Sequence, residues 1–274
     1  MLRKQIFFLW LVLLSLAFSK FAMAVDEKEV KLGFYTDKSI VASHIILFND
    51  ALTKRISEIG NRIVKASGET DMNYTFRVIN DPTINAYSAA GGFVYINTGL
   101  LDILESEDEL AAILGHEIAH IRNHHHIKFI YSAHRKAIVG SIMANIVGSL
   151  LGVAIGSSIS VSSPNSYQLA QEMCDLGNIT GQAIVEVITV SMIKGYGRKQ
   201  ELEADRCAIQ YIYKAGYNPY ALISVFKKLK SIKDRLEYKE RVRTASFVNA
   251  KPGLAQRMKY AEDLISKIIG GNRR

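Results

Sequence analysis

The chain has 274 residues, 49% of them hydrophobic and 22% charged, with a formal net charge of +8. That length and balance suit a large folded core and exclude a disordered chain. No arginine-rich run interleaved with aromatics is present, so no nucleic-acid partner is expected.

Residues 1–24 read as a secretory signal: Arg3 and Lys4 give a positive start, Ile6 to Phe18 is almost wholly apolar, and Ala22-Met23-Ala24 is a small-x-small cleavage site. An uncleaved anchor is the other reading, but the apolar run falls short of the roughly 20 residues that span a bilayer. Cleavage removes Arg3, Lys4 and Lys20 and leaves a net charge of +5. The chain is expected to be exported to a bacterial periplasm. Its two cysteines, Cys174 and Cys207, are then in a compartment that permits a disulfide, and a buried free thiol at Cys207 is the alternative.

Ile45, Phe48, Leu52, Ile56, Ile59 and Ile63 recur at steps of three and four, which predicts an amphipathic helix stopped near Gly68. Tyr74, Phe76 and Val78 alternate with polar neighbours, and Phe93 to Ile96 is a second short run of β-formers. Asn80-Asp81-Pro82 and Gly91-Gly92 supply turns. A small antiparallel sheet is the expected outcome. A helix then opens at Asp108, whose charge and that of Glu109 suit a helix N-terminus, and it runs through His120.

Ile138 to Val161 is apolar and glycine-rich, and its 24 residues are long enough to span a bilayer. Gly140, Ala144, Gly148, Gly152 and Gly156 form a small-residue stripe. A helix over 179–193 follows, carrying Gln182 and Glu186, which are costly in lipid. The expectation is a helical hairpin that packs on the protein and makes peripheral membrane contact through 138–161. Further helices are predicted over 199–215 and around Leu254, Met258, Ala261, Ile265 and Ile268. One mainly helical α+β domain over 25–274 results.

His116-Glu117-Ile118-Ala119-His120 is an HExxH pattern on a helix. Four residues at 3.6 per turn place both imidazoles on one face, able to reach one zinc ion, with Glu117 beside them to take a proton from water. A third ligand is needed. His124 continues the stripe, but side chains spread over eight helical residues span about 12 Å and cannot converge on one ion. His124, His125 and His126 are read as a group behind the ligands or in solvent. Glu201 is the better third ligand, with Asp205 one turn on, placed to orient a ligating imidazole. Glu203 is expected to be solvated.

These motifs resemble the HtpX-type gluzincins, the zinc metallopeptidase family that includes the prenyl-protein endopeptidases and the periplasmic BepA-like proteases. The resemblance is carried by Asn85 to Leu101, Glu109 to His120, His125 and Arg198 to Asp205. It implies a zincin-like fold and hydrolysis of peptide bonds by a zinc-dependent endopeptidase. His116, His120 and Glu201 match the ligands, Glu117 the base and Asp205 the family's aspartate. The strand holding Gly92, Phe93, Val94 and Tyr95 is implied to be a sheet edge above the zinc, to which an extended substrate adds.

The chain departs from the family at Lys251-Pro252, where a His-Pro pair is usual, with Arg257 following. A lysine there does not bind zinc while protonated, but its charge can stabilise an oxyanion, and Arg257 is the alternative for that role. The implied substrates are misfolded or stalled envelope proteins. No helical-repeat partner domain is expected. Two other readings, an inert binding module and a metal store, have no use for Glu117.

Overall fold

In the computed structural model the described residues are 27–48, 50–69, 71–129, 132, 196–237 and 253–271. The leader-like residues 1–24, Cys174, Lys251 and the expected hairpin over 138–161 and 179–193 lie outside them. Among the described residues, no helix is long and apolar enough to cross a membrane.

The first helix, α1 (Glu27–Ser43), was not expected from the sequence. Its buried side includes Leu32, Thr36 and Ile40, a pattern diluted by polar neighbours. The next expected helix begins later than its periodicity suggested. Ile46–Leu47 instead form strand β1, paired with β2, and Ile45 and Phe48 are exposed. Helix α2 spans Asp50–Ser67 and buries Ile56, Ile59 and Ile63. Each such burial contributes roughly 1.5–3 kcal/mol.

Strands β2 (Thr75–Ile79), β3 (Ala86–Ala89) and β4 (Phe93–Asn97) complete a four-stranded sheet in the order β1-β2-β4-β3. The sheet is mixed, not antiparallel as expected: β2 and β4 run parallel, from Thr75 opposite Phe93 to Ile79 opposite Asn97. The reason is β3, which runs back along β4 and lets it return in the direction of β2. Gly91 and Gly92 make the intervening turn with φ of 73° and 93°, in the left-handed region that favours glycine. β4 is therefore interior and paired on both sides, so Phe93 to Tyr95 are not an edge, and Gly92 lies in the turn before them. The edge beside the helices is β3.

Alternation splits the sheet between two faces. Phe76, Val78, Ala86, Val94 and Ile96 join the main core with α2 and the helices that follow. Ile79, Ala89 and Tyr95 pack on Ile40 of α1 on the other side. Asp37 fixes that contact, accepting from Arg77 Nε and Nη2 at 2.7 Å each and from the Tyr95 hydroxyl at 2.8 Å.

After the short helix α3 (Thr98–Leu101), α4 spans Glu107–Arg122, one residue earlier than predicted. Ser106 caps it by accepting from the Glu109 N–H at 3.2 Å, and three acidic residues fill its first turn. Helices α5 (Arg198–Lys214), α6 (Ala221–Glu237) and α7 (Leu254–Gly271) follow, close to the predicted positions. α5 lies along α4, and α7 packs on α5 and α6.

Candidate active site

Gly115 lets α5 approach α4 closely. A Cβ there would stand 2.8 Å from Ile212 Cγ2 and 3.5 Å from the Ala208 backbone. The contact brings Glu201, in the first turn of α5, to the two histidines of α4. His116 Nε2 lies 3.0 Å from His120 Nε2 and 3.5 Å from Glu201 Oε2, and His120 Nε2 is 3.9 Å from Glu201 Oε1. All three side chains are buried, and one ligand atom from each lies within 4.8 Å of the others.

This donor set fits a metal ion. Two imidazole nitrogens on one tetrahedral zinc, at about 2.0–2.1 Å each, stand roughly 3.3 Å apart, close to the spacing found here. The rest of each imidazole is also provided for. His116 Nδ1 faces Asp205 Oδ1 at 3.0 Å, so a hydrogen there is held by Asp205 and Nε2 is the atom turned toward His120 and Glu201. His120 Nδ1 lies 2.9 Å from His125 Nδ1, and the His125 Nε2 faces Glu203 Oε2 at 3.5 Å. With hydrogen on His120 Nδ1, His125 accepts it and turns its own N–H toward Glu203. Glu203 is thus half-buried beside His125, not solvated as expected. Tyr196 stacks on His120, with ring centroids 4.3 Å apart.

Burial pushes the His116 imidazole toward its neutral form, but Asp205 and Glu201 outweigh it and raise its pKa to about 9. The negative field that favours a proton there also favours a cation. Burial works to raise the Glu201 and Asp205 carboxyls, and Arg257 outweighs it and holds both below their ordinary values. Arg257 is fully buried, donates to Asp205 through Nε and Nη2, and lies 3.3 Å from Glu201 Oε2 through Nη1. Glu117 is buried among these groups, and desolvation raises its pKa.

His124 ends the helical stripe, with φ of 51°, and pairs with Glu29 of α1 at 2.7 Å. His125 and His126 are buried. Cys207 is a buried free thiol, 3.5 Å from Asn123 Nδ2.

The model of peptidase family M48 matches residues 50–265. The chain belongs to that family. Among similar proteins, the mitochondrial metalloendopeptidase OMA1 of Schizosaccharomyces pombe is 25% identical over 250 residues, covering 91% of this chain and 61% of its own length. A putative beta-barrel assembly-enhancing protease of Vibrio cholerae is 29% identical over 184 residues, covering 67% of this chain and 34% of the relative. The Escherichia coli metalloprotease LoiP is 25% identical over 218 residues, covering 80% and 72%. The chain thus spans about three fifths of the length of the yeast relative and about a third of the Vibrio one.

Among the contacts of the site that the sequence does not show, two are made by Ser88. Ser88 of β3 reaches Glu117, and His126 reaches the backbone of Ser88. Neither belongs to a recognisable spacing, because both join residues far apart in the chain.

Proposed function

We propose that residues 25–274 form a zinc metalloendopeptidase domain in which His116, His120 and Glu201 hold the metal and Glu117 is the base. The observation that carries this reading is the convergence of the three ligand atoms beside a buried glutamate. When bound, zinc acts as a Lewis acid toward the scissile carbonyl and acidifies the attacking water.

Glu117 accepts the proton of that water on a carboxylate oxygen and delivers it to the departing amine. Its burial supports this exchange, because desolvation makes a carboxylate a stronger base. Asp205 keeps the His116 ring oriented, and His125 does the same for His120. Arg257 lies against the Asp205 and Glu201 carboxylates, which favours a positioning role over direct stabilisation of an oxyanion. Lys251 keeps the oxyanion role read from the sequence.

The substrate is an extended polypeptide. Its docking strand passes from β4 to β3, because only an unpaired edge can add a strand. The leader-like residues 1–24 and the names of the bacterial relatives support envelope proteins as substrates, met in the periplasm.

Peptide hydrolysis by the purified protein tests the reading. The parent is expected to lose activity on chelation. Glu117→Gln should keep its zinc yet lose roughly 10² to 10⁴ in turnover. A zinc-replete Glu117→Gln protein as active as the parent overturns it.

A further inference from the structure

Ser88 lies on β3, the strand that borders α4, and both of its oxygens are engaged. Its hydroxyl donates to Glu117 Oε2 at 2.8 Å, and its backbone carbonyl accepts from His126 Nε2 at 2.8 Å. Ser88, Glu117 and His126 are all buried. Among the described residues, no second side-chain hydrogen bond reaches the Glu117 carboxylate.

A glutamate that takes a proton from water must present one oxygen in a set direction. The last torsion of its side chain is soft, so an unheld carboxylate samples orientations in which neither oxygen faces the water. A donor fixed on Oε2 removes that freedom and leaves Oε1 for the proton. Ser88 suits this role because its own position is fixed twice. It is in register opposite Val94 in the sheet, and His126 holds its carbonyl. His126 follows His120 by six residues, so the segment just beyond the ligand helix turns back to hold the strand that holds the base.

We infer that Ser88 is a positioning residue for Glu117, acting through its hydroxyl, with His126 clamping the strand that presents it. The inference rests on Glu117 being the base.

Steady-state kinetics of the zinc-loaded full chain on a fluorogenic peptide test it. Ser88→Ala should lower kcat by about tenfold to a hundredfold, the worth of one hydrogen bond to a charged group. KM should stay within about twofold, and zinc content should be unchanged. Ser88→Thr, which keeps the hydroxyl, should recover most of the turnover. Ser88→Cys, similar in size with a weaker donor, should fall between and serves if Ser88→Ala does not fold. In a Glu117→Gln background, Ser88→Ala should have little further effect on residual turnover, because its target is gone. A parent-like kcat for Ser88→Ala alongside an inactive Glu117→Gln overturns the inference and spares the base assignment. An equal loss in both backgrounds also overturns it. An active, zinc-replete Glu117→Gln protein removes the base assignment and the inference with it.

Discussion

Asp205 receives Arg257 as a two-pronged pair, with Nε on Oδ2 at 2.8 Å and Nη2 on Oδ1 at 2.6 Å, and neither side chain has exposed surface. The same carboxylate faces His116, so α7 is tied through α5 to the ligand helix α4. Arg257→Ala would leave buried carboxylates without their cation, at a cost of about 3–5 kcal/mol in unfolding free energy. Arg257→Lys keeps the charge but not the fork and should be intermediate. Asp205→Asn should weaken zinc by about 10-fold to 100-fold, read by competition with a chelating dye. Parent-like zinc affinity in Asp205→Asn would separate the pair from the ligand set.

Glu201 and Glu203 are two residues apart yet have different surroundings, one among the histidines and one beside His125. Purified protein should carry one zinc per chain, and added zinc should raise the melting temperature of chelated protein, as any ligand of the native state does. Glu201→Gln should lose most of its zinc, whereas Glu203→Gln should keep it with a modest loss of affinity. Equal zinc content by elemental analysis would place the third ligand elsewhere.

Gly115 sets the distance between α4 and α5 and therefore between the histidines and Glu201. Gly115→Val should destabilise the fold by about 1–3 kcal/mol through overpacking against Ile212 and Ala208. It should also reduce zinc affinity, because Glu201 moves with α5. Gly115→Ala meets first the tip of Ile212, which can turn aside, so its effect should be smaller. A Gly115→Val protein that is destabilised but binds zinc like the parent would show that the helix contact does not set the ligand spacing.

Glu109 is buried near the start of α4. Burial works to raise its carboxyl, but the Glu105 N–H, the Lys228 ammonium and the Ser224 hydroxyl outweigh it and hold it below its ordinary value. A carboxyl depressed in the folded state contributes stability that is complete above the unfolded value of about 4.3 and is lost as pH falls through the folded one. Denaturant melts at pH 7 and near pH 4 should therefore show the parent losing more stability on acidification than Glu109→Gln. Parallel pH profiles for the two proteins would exclude Glu109 from acid sensitivity.

Several features of the site are legible in the sequence because a helix is a local object. His116 and His120 share a face by the 3.6-residue period alone, and Glu117 follows from the same geometry. The acidic cluster at Glu107, Asp108 and Glu109 marks the start of α4 to within a residue. Glu201 and Asp205 share a face for the same reason, so the three residues that converge in the fold, and the aspartate beside His116, could be named before any fold was known. The helical positions of Leu254, Met258 and Ala261 likewise predicted α7.

What the sequence left undecided is what pairs at long range. Ala86-Tyr87-Ser88-Ala89 has little β-forming character, yet it becomes the strand that makes the sheet mixed, moves Phe93 to Tyr95 into the interior and brings Ser88 to Glu117. Strand pairing depends on neighbours contributed by distant segments, so no local pattern could show that edge or its owner. Arg257 was legible as a charge near the site, but only the packing of α7 on α5 decided that it meets Asp205 and Glu201. A buried arginine persists where carboxylates compensate its lost hydration, and bringing those groups together is the work of the tertiary fold.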